Sequence, residues 1–170
     1  AIVGFSMLLI RDTNDLGVRS YAEKINLASK QLLALINNVL DMSKIEAGKT
    51  ALEYQETTIE AISETLDGVM RGQFEKKHQE FSVSLEDIRH HEVIADELHI
   101  NQILLNLLSN ALKYTPERGK IVLMIKEIGE RKKGYARYQF SVRDNGYGMS
   151  KEYQAHLFQT FSREENDRTN

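Results

Sequence analysis

Polar side chains form a stripe on one face of a predicted leucine-rich helix, residues 97–113. At about 100° per residue, this stripe contains Gln102, Asn106, Ser109, Asn110 and Lys113. Solvated helix faces usually carry Glu, Lys and Arg, whereas this one carries amides, a hydroxyl and a single lysine. Asparagine oxygens can ligate Mg²⁺, which is often shared with substrate phosphates, and Lys113 could then contact a phosphate. A structural amide pair with satisfied hydrogen bonds is the alternative that the pattern leaves open.

A second polar motif, VRDNGYGMS at residues 142–150, follows a segment that alternates like a strand. Asn-Gly at such a place is typical of a tight hairpin turn, which needs a second strand after it. The residues that follow have a helical pattern instead, with Ser150 as the predicted N-cap. Gly146 and Gly148 would let the backbone approach a ligand closely. Asp144, at the strand end, can accept a hydrogen bond from an exocyclic amino group, as a carboxylate that selects adenine over guanine would do.

The composition is that of a soluble globular protein. The chain has 170 residues, of which 41% are hydrophobic and 28% are charged. A formal net charge of -3 gives no electrostatic case for binding nucleic acid or an anionic membrane. The absence of cysteine excludes disulfides, thiolate catalysis and cysteine-ligated zinc. No apolar run approaches the roughly 18 residues that are needed to span a bilayer.

Residues 1–47 are predicted to form a helical hairpin that pairs with a second copy of the chain. A short apolar helix is followed by a polar turn and by a long helix at about 18–46. Apolar residues recur along the long helix at alternating spacings of three and four: Ile25, Ala28, Leu32, Leu35, Val39 and Met42. Leu33, Ile36 and Leu40 widen this face beyond the seam of a two-stranded coil. One hairpin cannot bury such a face, so a homodimeric four-helix bundle is expected.

Residues 48–170 are predicted to form an α+β domain, with helices on one side of a mostly antiparallel sheet. The strands are expected at residues 50–59, 80–86, 92–95, 120–128 and 135–143. The helices are expected at residues 60–77, at 97–113 and from Ser150 onward. The first of these helices is expected to bury Ile62, Leu66, Val69 and Met70 on one face. The basic segment GERKKG, residues 129–134, is predicted to be a solvated hairpin tip.

Several motifs together resemble those of the sensor histidine kinases of two-component systems. NQILLNLLSNALKYT resembles the N box of that family, RDNGYGM its first glycine box, and LFQTFSR at residues 157–163 its F box. AIVGFSMLL resembles the helix that follows the phosphoacceptor histidine, and LINNVLDMSKIEAGK the end of the second dimerisation helix. The resemblance implies a helical hairpin that forms a dimeric four-helix bundle. An α/β-sandwich ATP-binding domain, of the histidine kinase, gyrase and chaperone ATPase type, would follow it.

The resemblance also implies a site for ATP and Mg²⁺, with a role for each matching residue. Asn110 would ligate the Mg²⁺ that bridges the phosphates, and Asn106 would assist from one turn earlier. Asp144 would accept a hydrogen bond from the adenine amino group, in a pocket that Gly146 and Gly148 shape. The other implied contacts are a phosphate contact by Lys113, a pocket wall at Tyr114, lid support by Phe158 and Phe161, and a γ-phosphate contact by Arg163.

The implied activity is transfer of the γ-phosphoryl group of ATP to a histidine, and then to an aspartate of a response regulator, separate or fused. The H box, which holds the phosphoacceptor histidine, is expected shortly before Ala1, and the second glycine box after Asn170. The chain is therefore expected to lack the acceptor histidine. It is also expected to be the cytoplasmic portion of a membrane-anchored sensor, with any membrane contact made by segments outside this chain.

Two other functions stay open. Another ATPase of the same superfamily, gyrase-like or chaperone-like, would share the nucleotide site, although a helical hairpin leading directly into the sandwich argues against it. A degenerate kinase domain would only dimerise and bind a partner, although intact Asn110 and Asp144 argue against a loss of ATP binding. The five histidines have no spacing typical of a zinc site and are interpreted as surface residues.

Overall fold

The computed structural model describes residues 1–48 and 51–155, and the chain divides into two units, residues 1–51 and 52–170. The helices are α1 (Ile2–Asp12), α2 (Leu16–Glu46), α3 (Ile59–Lys76), α4 (Glu97–Tyr114) and α5 (Lys151–Gln154). The strands are β1 (Gln55–Thr58), β2 (Glu80–Glu86), β3 (Glu92–Ala95), β4 (Lys120–Lys132) and β5 (Tyr135–Asp144). The predicted fold class, a helical hairpin followed by an α/β unit, is confirmed, whereas the domain boundary predicted at residue 47 stays a prediction. No helix among the described residues is long and apolar enough to cross a membrane.

The first unit is a helical hairpin whose turn ends at a capping residue. Asp15 accepts hydrogen bonds from the backbone N–H groups of Gly17 (2.7 Å) and Val18 (3.1 Å). This carboxylate satisfies two of the N–H groups that the first turn of a helix leaves without partners. The heptad residues Leu32 and Leu35 are 58% and 59% exposed in the single chain. Helix α1 therefore leaves the apolar face of α2 largely uncovered.

The second unit contains two sheets. β1 and β3 form a small antiparallel sheet. The larger sheet has the strand order β2-β4-β5, in which β2 and β4 are parallel and β4 and β5 are antiparallel. The pairing is mostly antiparallel, as predicted, and the parallel pair of β2 and β4 is the exception. β3 and α4 lie between β2 and β4 in the chain, and parallel neighbours need such a crossover because the chain must return to the end at which the first strand began.

Helices α3 and α4 pack against each other and against the larger sheet. The buried side chains follow the helical period on both helices and alternate along β4: Ile59, Ile62, Leu66, Met70, Phe74, Leu104, Leu108, Ala111, Ile121, Leu123 and Ile125. Of the residues predicted on the buried face of α3, three are buried, but Val69 is 49% exposed. Val69 lies about 100° around the helix axis from Met70 and therefore falls beyond the edge of the buried stripe.

Two predicted elements differ in extent from the observed ones. The strand predicted at 50–59 begins later and ends at Thr58, whose side chain accepts a hydrogen bond from the backbone N–H of Ala61 (3.0 Å) and so begins α3. The hairpin tip predicted at 129–134 is shorter, because β4 continues to Lys132. Gly129 has a φ of +106° and the β4–β5 register shifts beside it, so strand pairing continues through an irregular, bulged stretch.

Candidate functional site

Hydrogen bonds fix the beginning of α4. Asp96 is buried and caps the helix, since it accepts from the backbone N–H groups of His99 (3.0 Å) and Glu53 (2.8 Å). The His99 ring also approaches the carboxylate, with Nδ1 at 2.7 Å from Oδ2. These contacts hold the pKa of the Asp96 carboxyl below its ordinary value, and the hydrogen bond from the His99 N–H has the largest effect. Burial acts in the opposite direction but is outweighed. The cap therefore stays ionised and joins α4 to the segment before β1.

The two faces of α4 differ in burial. Leu104, Leu108 and Ala111 are buried in the core, whereas Asn106 and Asn110 are exposed. Within the described part of the chain, neither asparagine side chain is hydrogen-bonded to another residue. A structural pair of buried, satisfied amides is therefore not what the helix contains. The amide oxygens are accessible to a ligand.

The end of α4 places a lysine beside a tyrosine. Lys113 Nζ lies 3.1 Å from Tyr114 Oη and 4.8 Å from the centre of the Tyr114 ring. An ammonium group over an aromatic face is attracted by the electron density of the ring. Lys113 is nevertheless exposed, so its charge is accessible to an anionic ligand on the same helix that carries the two asparagines.

The glycine turn, residues 145–150, packs against the end of α4. The backbone N–H of Tyr147 donates to the carbonyl oxygen of Tyr114 at 3.2 Å. Gly146 lies so close to this carbonyl that a Cβ atom on it would be 2.5 Å from the oxygen. The close contact with the end of α4 therefore requires glycine at position 146. The sequence had suggested a different reason, namely that a glycine lets the backbone approach a ligand. Gly148 has a φ of +70°, which favours glycine for a conformational reason.

Asp144 ends β5 beside this turn. Its Oδ1 accepts a hydrogen bond from the backbone N–H of Gly146 at 2.8 Å, which orients the carboxylate. A carboxylate offers about four lone-pair positions, so one such bond leaves capacity for a ligand amino group. The hairpin alternative is excluded, because α5 follows the turn and Ser150 caps it by accepting from the backbone N–H of Tyr153 (3.1 Å).

Asn145 contributes to the site by joining the glycine turn to another strand, a role that its place in an Asn-Gly turn does not predict. Its side-chain oxygen accepts a hydrogen bond from the backbone N–H of Lys120 (2.7 Å). Its backbone N–H donates to the Lys120 carbonyl oxygen (3.2 Å). The turn is therefore joined to the beginning of β4 as well as to the end of α4. Asparagine side chains often bond to backbone groups in turns, but a partner 25 residues away cannot be identified from local sequence.

The structure thus joins two of the predicted parts of the site. Tyr114 contacts the turn that follows Asp144, and Asn110 and Asn106 lie one and two helical turns before Tyr114. The predicted lid residues lie outside the described residues: Phe158, Phe161 and Arg163. Sites with three or more His, Asp or Glu side chains able to hold a metal ion are absent among the described residues. The accessible amide oxygens of α4 are donors of the kind that Mg²⁺ takes.

Among the described residues, four histidines lie beside carboxylates. The pairs are His78 with Glu117 (3.8 Å), His90 with Glu127 (2.8 Å), His91 with Glu60 (2.5 Å) and His99 with Asp96 (2.7 Å). His78, His90 and His91 are exposed, in agreement with the interpretation of surface residues, and His99 is partly exposed. His156 lies outside the described residues.

Two family models match the chain. Residues 1–48 match the His Kinase A (phospho-acceptor) domain, and residues 95–170 match the histidine kinase-, DNA gyrase B- and HSP90-like ATPase family. The first match shows that a phosphoacceptor-type domain is present, and it gives no support to the prediction that the acceptor histidine is missing. The second match includes α4 and the glycine turn, so these elements belong to an ATPase domain, which implies ATP as the ligand.

Known proteins similar to this chain are longer. The non-motile and phage-resistance protein of Caulobacter vibrioides is 34% identical over 169 residues, which are 97% of this chain and 20% of that protein. Full-length ShkA, solved in complex with AMPPNP, is 28% identical with a TM-score of 0.77, over 95% of this chain and 34% of that one. Histidine kinase ThkA, solved with the response regulator protein TrrA, shares the fold at 22% identity and a TM-score of 0.66, over 95% of this chain and 46% of that one. The chain spans less than half of each of these proteins.

The matches agree with the order of the two units. The phosphoacceptor-type model covers the helical hairpin, and the ATPase model covers the part in which α4 contacts the glycine turn. The chain therefore belongs to the histidine kinase family, with a phosphoacceptor-type hairpin that is followed by an ATPase domain.

Proposed function

We propose that this chain binds ATP together with Mg²⁺ and serves to transfer the γ-phosphoryl group to a histidine. The observation that carries the proposal is the contact between α4 and the glycine turn. The Tyr147 N–H bonds to the Tyr114 carbonyl at 3.2 Å, and Gly146 lies against the same group. This contact joins the strand end that carries Asp144 to the helix that carries Asn110. One site can then bind both ends of a nucleotide.

Asp144 would bind the adenine base. Its carboxylate, oriented by the Gly146 N–H at 2.8 Å, can accept a hydrogen bond from the exocyclic amino group of adenine. Guanine has a carbonyl oxygen at the corresponding ring position, which a carboxylate would repel. Tyr114 would form a wall of this pocket, and Gly146 and Gly148 would form the turn beside it. The solved complex of ShkA with AMPPNP, an ATP analogue, supports an adenine nucleotide as the ligand.

The exposed face of α4 would bind the phosphates. Asn110 and Asn106 offer neutral amide oxygens for Mg²⁺, and Lys113 offers a cation for a phosphate oxygen. When bound, Mg²⁺ would neutralise phosphate charge during the transfer. The residues of the chain would bind and orient the nucleotide, which is most of what phosphoryl transfer requires of a protein. The remaining proposed contacts, outside the described residues, are lid contacts by Phe158 and Phe161 and a γ-phosphate contact by Arg163.

The five histidines are His78, His90, His91, His99 and His156, and all lie outside the range that matches the phospho-acceptor domain. The hairpin, residues 1–47, would form a homodimer through the apolar face of α2, and residues 48–170, which follow it in the chain, would form the nucleotide-binding domain. The phosphoryl group would then pass to an aspartate of a response regulator. ThkA, solved with its response regulator protein TrrA, supports this class of partner.

The test is calorimetric titration of the chain with ADP, with and without Mg²⁺, for the wild type, Asp144→Asn and Asp87→Asn. Asp144→Asn should weaken binding by roughly tenfold or more, because a neutral amide accepts a weaker hydrogen bond from the adenine amino group than a carboxylate does. Asp87, whose exposed carboxylate pairs with Lys126 at 3.0 Å, provides the same chemical change outside the site and should leave affinity unchanged. Removal of Mg²⁺ should weaken binding of the wild type. A wild type that does not bind ADP would contradict the proposed function, and an unaffected Asp144→Asn variant would contradict the adenine contact.

A further inference from the structure

A buried glutamine outside every motif bonds to the end of α4. Gln79 lies between α3 and β2 and is 6% exposed. Its Nε2 donates to the carbonyl oxygens of Thr115 (2.6 Å) and Leu112 (3.2 Å). The last carbonyl groups of a helix have no partners within the helix, and buried ones need donors from elsewhere. Gln79 supplies these donors from a different element.

The contacts determine which end of the Gln79 amide faces the helix. Its neighbours there are carbonyl oxygens, including that of Pro116 at 3.5 Å, and carbonyl oxygens can only accept hydrogen bonds. The amide must therefore direct its NH₂ group toward them. Its Oε1 is buried without a partner among the described residues. A carboxylate at this position would bring oxygen against oxygen, so the site distinguishes glutamine from glutamate.

The Gln79 contact is one peptide group away from the nucleotide site. Thr115, which accepts the shorter bond, directly follows Tyr114 in the chain. The Tyr114 carbonyl accepts from the Tyr147 N–H and touches Gly146. Because peptide groups are planar and successive ones share a single Cα atom, fixing the Thr115 carbonyl restricts the orientation of the Tyr114 carbonyl. The glycine turn therefore contacts the peptide group next to the one that Gln79 holds.

We propose that Gln79 is a positioning residue for nucleotide binding. It holds the end of α4 in the orientation in which Tyr114 and the glycine turn complete the adenine pocket. The inference rests on the function proposed above. Lys77 provides a contrast, because its exposed Nζ also donates to the Leu112 carbonyl (3.0 Å) but has no bond to Thr115. Lys77 supports the helix end in general, whereas Gln79 also orients the residue that meets the turn.

The experiment compares the wild type with Gln79→Glu, Lys77→Met and Gln73→Glu. Gln73 is exposed on α3, and its side-chain bonds among the described residues lie within that helix, to Val69 (3.3 Å) and Met70 (3.7 Å). Its substitution is therefore the matched chemical control. Circular dichroism first identifies conditions in which every variant is folded. Two quantities are then measured in those conditions: the rate of hydrogen exchange of the Tyr147 amide without nucleotide, and the Kd for ADP with Mg²⁺. Gln79→Glu should accelerate Tyr147 exchange and weaken ADP binding about five- to tenfold, as loss of a buried hydrogen bond predicts. Both other variants should match the wild type.

Each outcome decides the inference or the proposed function. Unchanged Tyr147 exchange in Gln79→Glu would overturn the role of Gln79, whether or not nucleotide binds. Equal effects of Lys77→Met would also overturn it, because general support of the helix end would then suffice. A wild type without ADP binding would contradict the proposed function, while the exchange comparison would still decide the positioning role. If Gln79→Glu does not fold, Gln79→Met, which is neutral and similar in length, takes its place with the same expectations.

Discussion

Gly146 shows at the scale of one residue why the turn has its composition. Any side chain there would place Cβ 2.5 Å from the Tyr114 carbonyl oxygen and 2.7 Å from Asp144 Oδ1. Neither neighbour is the flexible end of a long side chain, so relief requires the turn to leave α4. We expect Gly146→Ala to cost about 1–3 kcal/mol of folding stability, as overpacking does, and to abolish ADP binding. Urea unfolding and calorimetry measure the two effects.

Gly72→Ala is the matched control for this substitution. Gly72 is exposed within α3, and a Cβ atom there would meet nothing within 4 Å. Alanine stabilises an exposed helix interior by up to about 1 kcal/mol relative to glycine. The two Gly→Ala changes should therefore have opposite signs, with ADP affinity unchanged in Gly72→Ala. A Gly146→Ala variant as stable as the wild type would show that the turn does not require this contact.

Residue chemistry alone identified part of the candidate site. The amides of α4 and the carboxylate of Asp144 could be predicted because their residue types are unusual for a helix face and a strand end. Neither Gln79 nor the anchoring contact of Asn145 could be predicted, because their backbone partners are 36 and 25 residues away. Long-range hydrogen bonds that position a site leave no local pattern.

Among the elements, the connection between β2 and β3 depends on one buried carboxylate. Glu127 of β4 accepts from the backbone N–H groups of Arg89 (2.6 Å) and His90 (2.9 Å), and its Oε1 lies 2.8 Å from His90 Nδ1. Tyr138 of β5 donates to the His90 carbonyl. These bonds hold the connection on the larger sheet. They also help place β3, which leads directly to Asp96, the cap of α4.

The Glu127 contacts predict how the stability of this region depends on pH. Burial alone would raise the pKa of the carboxyl, but the N–H groups of Arg89 and His90, with the His90 ring, outweigh burial and lower the pKa from 4.5 to about 2. A carboxyl with a lowered folded-state pKa stabilises the fold above its unfolded pKa, and this contribution is lost as the pH falls. The Glu127 contribution should therefore be complete above about pH 4.5 and disappear toward pH 2.

Glu127→Gln tests this dependence. The variant should be less stable than the wild type at neutral pH, because a neutral amide oxygen accepts the Arg89 and His90 N–H bonds less strongly than a carboxylate does. Its urea midpoint should also fall less than that of the wild type as the pH is lowered from 4.5 toward 2. Glu130→Gln, at an exposed position on the same strand, should keep the wild-type pH profile. Parallel profiles for Glu127→Gln and the wild type would show that this carboxyl does not determine the dependence.

Element boundaries could be predicted better than element pairing. β2 at 80–86 and β3 at 92–95 have the predicted ends, because alternation and turn residues mark both. The parallel alignment of β2 with β4 was not predicted, since it depends on α4 returning the chain across the sheet rather than on either strand sequence. The extent of β4 was also missed, because a bulge at Gly129 allows pairing to continue where alternation stops.

For the whole molecule, the apolar face of α2 predicts association of two chains. Leu32, Leu35 and Val39 are 58%, 59% and 53% exposed in the single hairpin, and further apolar residues widen the same face. So large a continuous apolar surface is unfavourable in water unless another surface covers it. A second hairpin provides the same face and can complete a four-helix bundle. We therefore expect a mass of twice 19.5 kDa in solution, measured by sedimentation or light scattering.

Leu35→Lys should shift this equilibrium toward the monomer. It places a charge within the apolar face, where dimerisation would have to bury it without a partner. Asn37→Lys adds the same charge about 200° around the helix, on the opposite face, and should leave the dimer intact. The hairpin and the α/β unit have separate cores, so Leu35→Lys should keep the ADP affinity of the wild type. A wild-type mass of 19.5 kDa at all concentrations would contradict the predicted bundle. Loss of ADP binding in the monomeric variant would show that the nucleotide site depends on the paired hairpins.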